Sequence, residues 1–267
     1  MIGVNRLTLS LRHLVTLSLA VALLTACASS PSTQTLTAFT ASSLTDAFTE
    51  MGKDFEAAHP GVTVAFNFGG SQTLRTQLEQ GALADVFASA NQKEMDSAIA
   101  ASLVVSGTPK VFLTNQLIVI LPKDNLGRVQ SLADLARPGL KLVLAAEEVP
   151  VGKYSRDALV KLEKQIGAGF KAKVLVNVVS NEDNVKQVVA KVKLGEADAG
   201  IVYGSDAVAA PELKTIEIPN DSNVIAKYPM AVLAKSSHAE LSAAFVDYVL
   251  SADGQAMLKK WGFTPAQ

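Results

Sequence analysis

Residues 36–68 read LTAFTASSLTDAFTEMGKDFEAAHPGVTVAFNF, and their periodicity decides the fold class. Leu36-Thr37-Ala38-Phe39 is a short apolar strand candidate. Leu44, Ala47, Phe48, Met51, Phe55 and Ala58 then recur at helical spacing, and Val62, Val64, Phe66 and Phe68 alternate strictly as a strand does. A strand, an amphipathic helix and a second strand in one run open an α/β layer.

The same rhythm continues outward from this stretch. Leu74 and Leu78 mark a short helix, Val86-Phe87 a third strand, and residues 92–101 a third helix. Leu117-Ile118-Val119-Ile120-Leu121 is a continuous apolar run, the mark of a strand buried on both faces. The pattern then restarts. Leu142-Val143-Leu144 is a strand, followed by a helix from about Ser155 whose stripe holds Tyr154, Ala158, Leu159, Leu162 and Ile166. Val174, Val176 and Val178 alternate with the period of a strand, Val185, Val188, Val189 and Val192 form a helical stripe, and Ile201-Val202-Tyr203 is a strand. Two successive βαβα runs predict two α/β lobes, each a mainly parallel sheet flanked by helices. After Met230-Ala231-Val232-Leu233-Ala234 come two helices. Ser237 to Glu240 reads as a capping box before the stripe of Leu241, Ala244, Phe245, Tyr248 and Val249.

The amino terminus sets the compartment. Arg6, Arg12 and His13 precede an apolar run from Leu14 to Leu24, and Leu24-Thr25-Ala26-Cys27 reads as a lipobox ending on the chain's single cysteine. Residues 1–26 are thus expected to be a lipoprotein signal peptide, with Cys27 lipidated and 27–34 a small, polar tether. Removing Arg6 and Arg12 from 24 basic residues leaves 22 against 25 acidic ones, net −3. That charge does not favour nucleic acid, which calls for a basic face. Without a second cysteine no disulfide can form within the chain, and the length suffices for a core without one.

Catalytic and metal motifs are scarce. His59 and His238 stand without partners in sequence and read as surface histidines. Gly152-Lys153 is not a P-loop, because Glu147 stands where the leading glycine belongs and Tyr154 where Ser or Thr belongs. Gly69-Gly70-Ser71 is not a nucleophile elbow, because Thr73 replaces the closing glycine. Glu147-Glu148 and Glu182-Asp183 read as solvated acids at helix starts rather than an acid/base pair. With no nucleophile–base pair, an enzyme is not expected.

What recurs is small or hydroxyl residues where a strand hands over to a helix. These are Ala41-Ser42-Ser43, Gly69-Gly70-Ser71, Pro150-Val151-Gly152 and Asn181 to Asn184. Ser43 to Asp46 fits a capping box, and capping is the simple reading of each site alone. In open α/β sheets, however, such junctions line the ligand crevice. Each helix start offers free N–H groups and about half a positive charge, so four converging starts would supply about +2 toward an anion.

At these residues the sequence resembles a known family. Phe39 to Thr45, Phe68 to Leu74, Ala84 to Ala90 with Gln92-Lys93, Val149 to Gly152, Gly200 to Ala207 and Tyr228-Pro229 carry the resemblance. It covers about Thr35 to Phe263, and the order and spacing of the segments make it specific. The chain is similar to the molybdate-binding components of bacterial ABC importers, which have the class II periplasmic-binding-protein fold. The resemblance implies two α/β lobes, 35–115 with 230–267 and 116–229, closing on a tetrahedral oxyanion. Its ligand positions fall on Ser43 and Ser71 in the first lobe and on Val151, Val185 and Tyr203 in the second.

The serines would offer hydroxyl and backbone donors, the valines their N–H groups and Tyr203 its phenol. Molybdenum would be met only through its oxygens. Val151 stands where the resemblance leads to alanine, which a backbone donor tolerates, and Gly69-Gly70 bears on loop flexibility. Val185 argues against a carboxylate that would expand the metal's coordination. An oxyanion without an acidic proton needs donors only. The expected ligand is molybdate or tungstate, whose similar size prevents ranking them, with no cofactor. The expected partner is the membrane permease of the importer, and the protein is expected to be a monomer. Another tetrahedral oxyanion such as sulfate, bound by the same fold, is the alternative.

Overall fold

The computed structural model describes residues 33–265. The signal peptide, Cys27 and most of the tether lie outside the described residues. Strands β1 (Gln34–Ala41), β2 (Val62–Gly69), β3 (Val86–Ala88), β4 (Lys110–Asn115), β10 (Ala226–Val232) and β11 (Thr264–Pro265) form one sheet, in the order β11-β4-β10-β3-β1-β2. Strands β5 (Leu117–Leu121), β6 (Leu142–Ala145), β7 (Val178–Glu182), β8 (Ala199–Tyr203) and β9 (Lys214–Glu217) form a second, in the order β7-β6-β8-β5-β9.

The helices that flank these sheets are α1 (Thr45–Ala58), α2 (Ser71–Glu79), α3 (Gln92–Ala100), α4 (Pro150–Ile166), α5 (Phe170–Val176), α6 (Val185–Lys193), α7 (Gly204–Val208), α8 (Ala239–Leu250) and α9 (Ala252–Lys260). The two-lobed α/β expectation therefore stands, but the sheets are mixed rather than mainly parallel. Pairs β1–β3, β6–β7 and β6–β8, joined by helical crossovers, are parallel. Strands β5 and β10 pair antiparallel with their neighbours. They follow the two passages between the sheets, which local periodicity does not foretell.

Those passages lie side by side. The chain leaves the first sheet at Gln116 and returns through residues 218–225. Buried Asn223 joins them: its Oδ1 accepts from Leu117 N and its Nδ2 donates to Leu117 O, both at 2.9 Å. In the first sheet's half, α1 packs Phe48 against Phe66, Phe112 and Phe245, with ring centroids 5.9–6.1 Å apart. Each such buried ring contributes about 2–3 kcal/mol.

Three local expectations are corrected. The alternating Val174, Val176 and Val178 divide between α5 and β7. Phe170 and Val174, one helical turn apart, are the buried pair, while Val176 is 83% exposed, so a helical period wins over three positions of alternation. Helix α4 begins at Pro150 rather than near Ser155, because proline at the first position lacks only an N–H that would be unpaired there anyway. Neither serine capping box forms. Before α8, Ser237 Oγ meets the His238 ring, and Ser236 Oγ instead accepts from His238 N at 3.1 Å. Before α1, a 3-10 turn over Ser42–Leu44 replaces the cap.

Candidate functional site

Each of the four strand-to-helix junctions ends at one small cavity. Ser43 follows β1 and Ser71 follows β2, both from the first sheet. Val151 lies in the first turn of α4 after β6, Val185 opens α6 after β7, and Tyr203 closes β8, all from the second. All five line this cavity together with Ala41, Ser42, Gly69, Gly70, Ala90, Val149 and Pro150. They are buried to 4% exposure or less. The room inside is ≈ 10 Å³, about what one water molecule fills.

No lining residue is charged. The lining residues carry hydrogen-bond donors. The helical ladder begins with Leu74 N to Gly70 O in α2 and with Lys153 N to Val149 O in α4. The amides of Ser71 and Val151 therefore precede it, as expected of the first turn of a helix. At α6, Asn184 caps by accepting from Gln187 N at 3.1 Å, and Val185 N again precedes the ladder. The hydroxyls complete the set. Ser71 Oγ accepts from Ala90 N at 3.0 Å, which leaves its proton to donate. Ser43 Oγ pairs with Tyr228 Oη at 2.9 Å. Tyr203 Oη is buried and has no hydrogen-bond partner among the described residues. Burial, with Tyr228 and Tyr154 beside it, pushes the Tyr203 phenol well above its ordinary pKa, so it keeps its proton.

The glycines give space here rather than freedom. Gly70 has an ordinary φ of −63°. A Cβ on it would lie 2.5 Å from Asp183 O, so its role is close approach of the two halves and not loop flexibility. A Cβ on Gly152 would lie 1.9 Å from Ala146 O, which fixes how tightly α4 seats on the end of β6.

Two contacts cross between the halves at the cavity's edge. Gln72 Nε2 donates to Asp183 O at 3.3 Å, and Lys186 Nζ meets Asp46 Oδ2 of α1 at 2.6 Å. Lys186 also lies 3.3 Å from Oδ1 of fully buried Asp206. Burial pushes the Asp206 carboxyl up to about 6, against the opposing pull of Lys186.

Of the other residues weighed from sequence, Asp183 takes part only through its backbone oxygen. Glu147 and Glu148 are exposed. Glu182 pairs with Lys191 at 2.7 Å, and Asp183 is exposed. His59 Nδ1 bonds Phe55 O at 2.8 Å, and His238 lies 3.4 Å from Asp85. Among the described residues no cluster of His, Cys, Asp and Glu could hold a metal ion.

The profile of bacterial extracellular solute-binding proteins matches residues 36–264. The chain belongs to this family. A molybdate-binding protein ModA of Mycobacterium tuberculosis (strain H37Rv) is 40% identical over 231 residues, spanning 86% of this chain and 84% of the relative. The substrate-binding domain of a molybdenum ABC transporter from Clostridium difficile, described as putative, is 30% identical. Its TM-score is 0.65, over 87% of this chain and 99% of that one. The Azotobacter vinelandii periplasmic molybdate-binding protein shares the fold at 18% identity and a TM-score of 0.76, over 87% of this chain and all of that one.

Sequence reasoning on this solute-binding protein missed Ala90, Lys186, Asp46, Asp206 and the role of Tyr228 beside the cavity. Asp206, three residues after Tyr203 at a helix start, was the one with a local signal: its Oδ2 accepts from Tyr203 N at 3.3 Å. Among the described residues no helix is long and apolar enough to cross a membrane.

Proposed function

We propose that this solute-binding protein captures molybdate, and tungstate with it, outside the cytoplasm and delivers it to the membrane permease of an ABC importer. The observation that carries the reading is the donor set of the lining: the hydroxyls of Ser43, Ser71 and Tyr203 and the amides that open three helices, with no acid or base among the lining residues. A fully deprotonated tetrahedral dianion needs donors alone, and the helix starts supply the balancing positive charge. Relatives named for molybdate binding, at up to 40% identity over most of the chain, support the same ligand.

In this reading Ser43, Ser71 and Tyr203 donate through side chains and Val151 and Val185 through backbone N–H. The two sheets act as lobes that close about Gln116 and residues 218–225, because the solute contacts both only when they meet. The protein works as a monomer without a cofactor or catalytic step, held at the membrane by a lipid on Cys27.

Titration calorimetry with molybdate, tungstate and sulfate tests the ligand. Tight binding of the first two and far weaker binding of sulfate is the expected result. Equal affinity for sulfate would make this a general oxyanion binder. If none of the three raised the melting temperature, the reading would be refuted, since any solute that binds the native state stabilises it.

A further inference from the structure

Tyr228 is among the largest fully buried side chains, yet it does not line the cavity. It stands on β10, and its ring meets that of Tyr203 edge-on with centroids 5.8 Å apart. Its hydroxyl lies 2.9 Å from Ser43 Oγ, a residue brought beside it only by the fold.

This bond bears on which role is left to the Ser43 hydroxyl. A serine hydroxyl has one proton to give and two lone pairs to receive with. Phenol is a stronger acid than an aliphatic alcohol, so between the two Tyr228 is the better donor. Burial pushes its pKa above the ordinary tyrosine value, so the proton stays on the ring oxygen at neutral pH. Ser43 Oγ then accepts, and its own proton has no other acceptor among the described residues. The cavity is where that proton can be used. Ser71 is set the same way by a backbone amide, Ala90 N–H, which can only donate.

We propose that Tyr228 is a positioning residue of the oxyanion site: it donates to Ser43 Oγ and so holds Ser43 as a donor toward the solute. The proposal rests on the oxyanion reading given above. It has a consequence for selectivity. A protonated oxyanion such as hydrogen phosphate brings an O–H that needs an acceptor, and a serine held as a donor provides none. Without the phenol, Ser43 can turn and accept.

The test is a double-mutant cycle by titration calorimetry at neutral pH, with molybdate and inorganic phosphate as probes. It uses the wild type, Tyr228→Phe, Ser43→Ala and the double variant. Tyr228→Phe should weaken molybdate binding about twofold to tenfold, the worth of one neutral hydrogen bond. In the Ser43→Ala background the same change should cost nothing measurable. Tyr228→Phe should also narrow the preference for molybdate over phosphate, which a change in packing alone would not do.

Equal losses in both backgrounds, or unchanged molybdate affinity in Tyr228→Phe, would overturn the proposal while leaving the oxyanion reading intact. A wild type that binds no molybdate would remove that reading and the proposal together. Proton NMR of the ligand-free wild type gives a measurement independent of any variant's folding. The Tyr228 hydroxyl proton should exchange slowly and lie close to the Ser43 β-protons, and its absence there would also overturn the proposal.

Discussion

Replacing Tyr203 by phenylalanine takes one oxygen from the cavity wall and keeps the ring. The hydroxyl has no hydrogen-bond partner among the described residues, so its loss breaks no bond within the protein. The edge-on packing against Tyr228, 5.8 Å between centroids, does not depend on it. The bond to a charged solute is lost, which costs about 1.5–3 kcal/mol, or roughly tenfold to a hundredfold in affinity. Stability without solute should hold, because the ring and its packing against Tyr228 are kept.

Ser71→Ala is the contrast. Its oxygen accepts from buried Ala90 N at 3.0 Å. Removing it leaves an amide unpaired at about 1–3 kcal/mol, so affinity and stability should fall together. At about 2–4 °C per kcal/mol for a domain of this size, thermal unfolding resolves the two cases, and molybdate calorimetry supplies the affinities. A Tyr203→Phe variant that melts well below the wild type and binds molybdate as tightly would refute the reasoning, because the hydroxyl would then serve the fold and not the solute.

Gly152→Ala should weaken molybdate binding more than Val151→Ala does, and lower stability by about 1–3 kcal/mol, since its Cβ would meet a backbone carbonyl; calorimetry and thermal unfolding of both variants check this. Asp206 has a folded pKa raised from 3.8 to about 6, so its contribution to stability is fully present below the unfolded value and is lost as pH rises through about 6. Asp206→Asn should therefore gain on the wild type as pH rises from about 4 to about 7, by up to about 3 kcal/mol, while Lys186 keeps Asp46 as its partner. Urea unfolding across that range measures the difference, and parallel curves would count against it. Cys27→Ser should move the protein from the membrane to the soluble fraction with its molybdate affinity unchanged, as fractionation and calorimetry would show.

The α/β class, the two successive runs of strands and helices and most of the longer elements were legible in local periodicity, while β4, β9, α5 and α7 were not. The former were legible because burial of one face writes a period of two or of 3.6 into the residues that make it. The same logic explains where the reading missed. The first turn of α4 lines the cavity with Pro150 and Val151, and no helical stripe announced Pro150 as its start. Ser43 reads as a cap because capping is a local use of serine, whereas its partner is Tyr228 on the far side of the chain.

The sequence by itself determined the fold class and, through its resemblance to a family, which five positions to watch, none of them charged. Tertiary structure alone decided that the five meet at one cavity, that Lys186 reaches Asp46, that Ala90 N–H donates to Ser71 and that Ser43 lies within hydrogen-bond reach of Tyr228. Hydrogen-bond direction depends on which groups meet in space, and residues so far apart in the chain leave no periodic trace of that meeting.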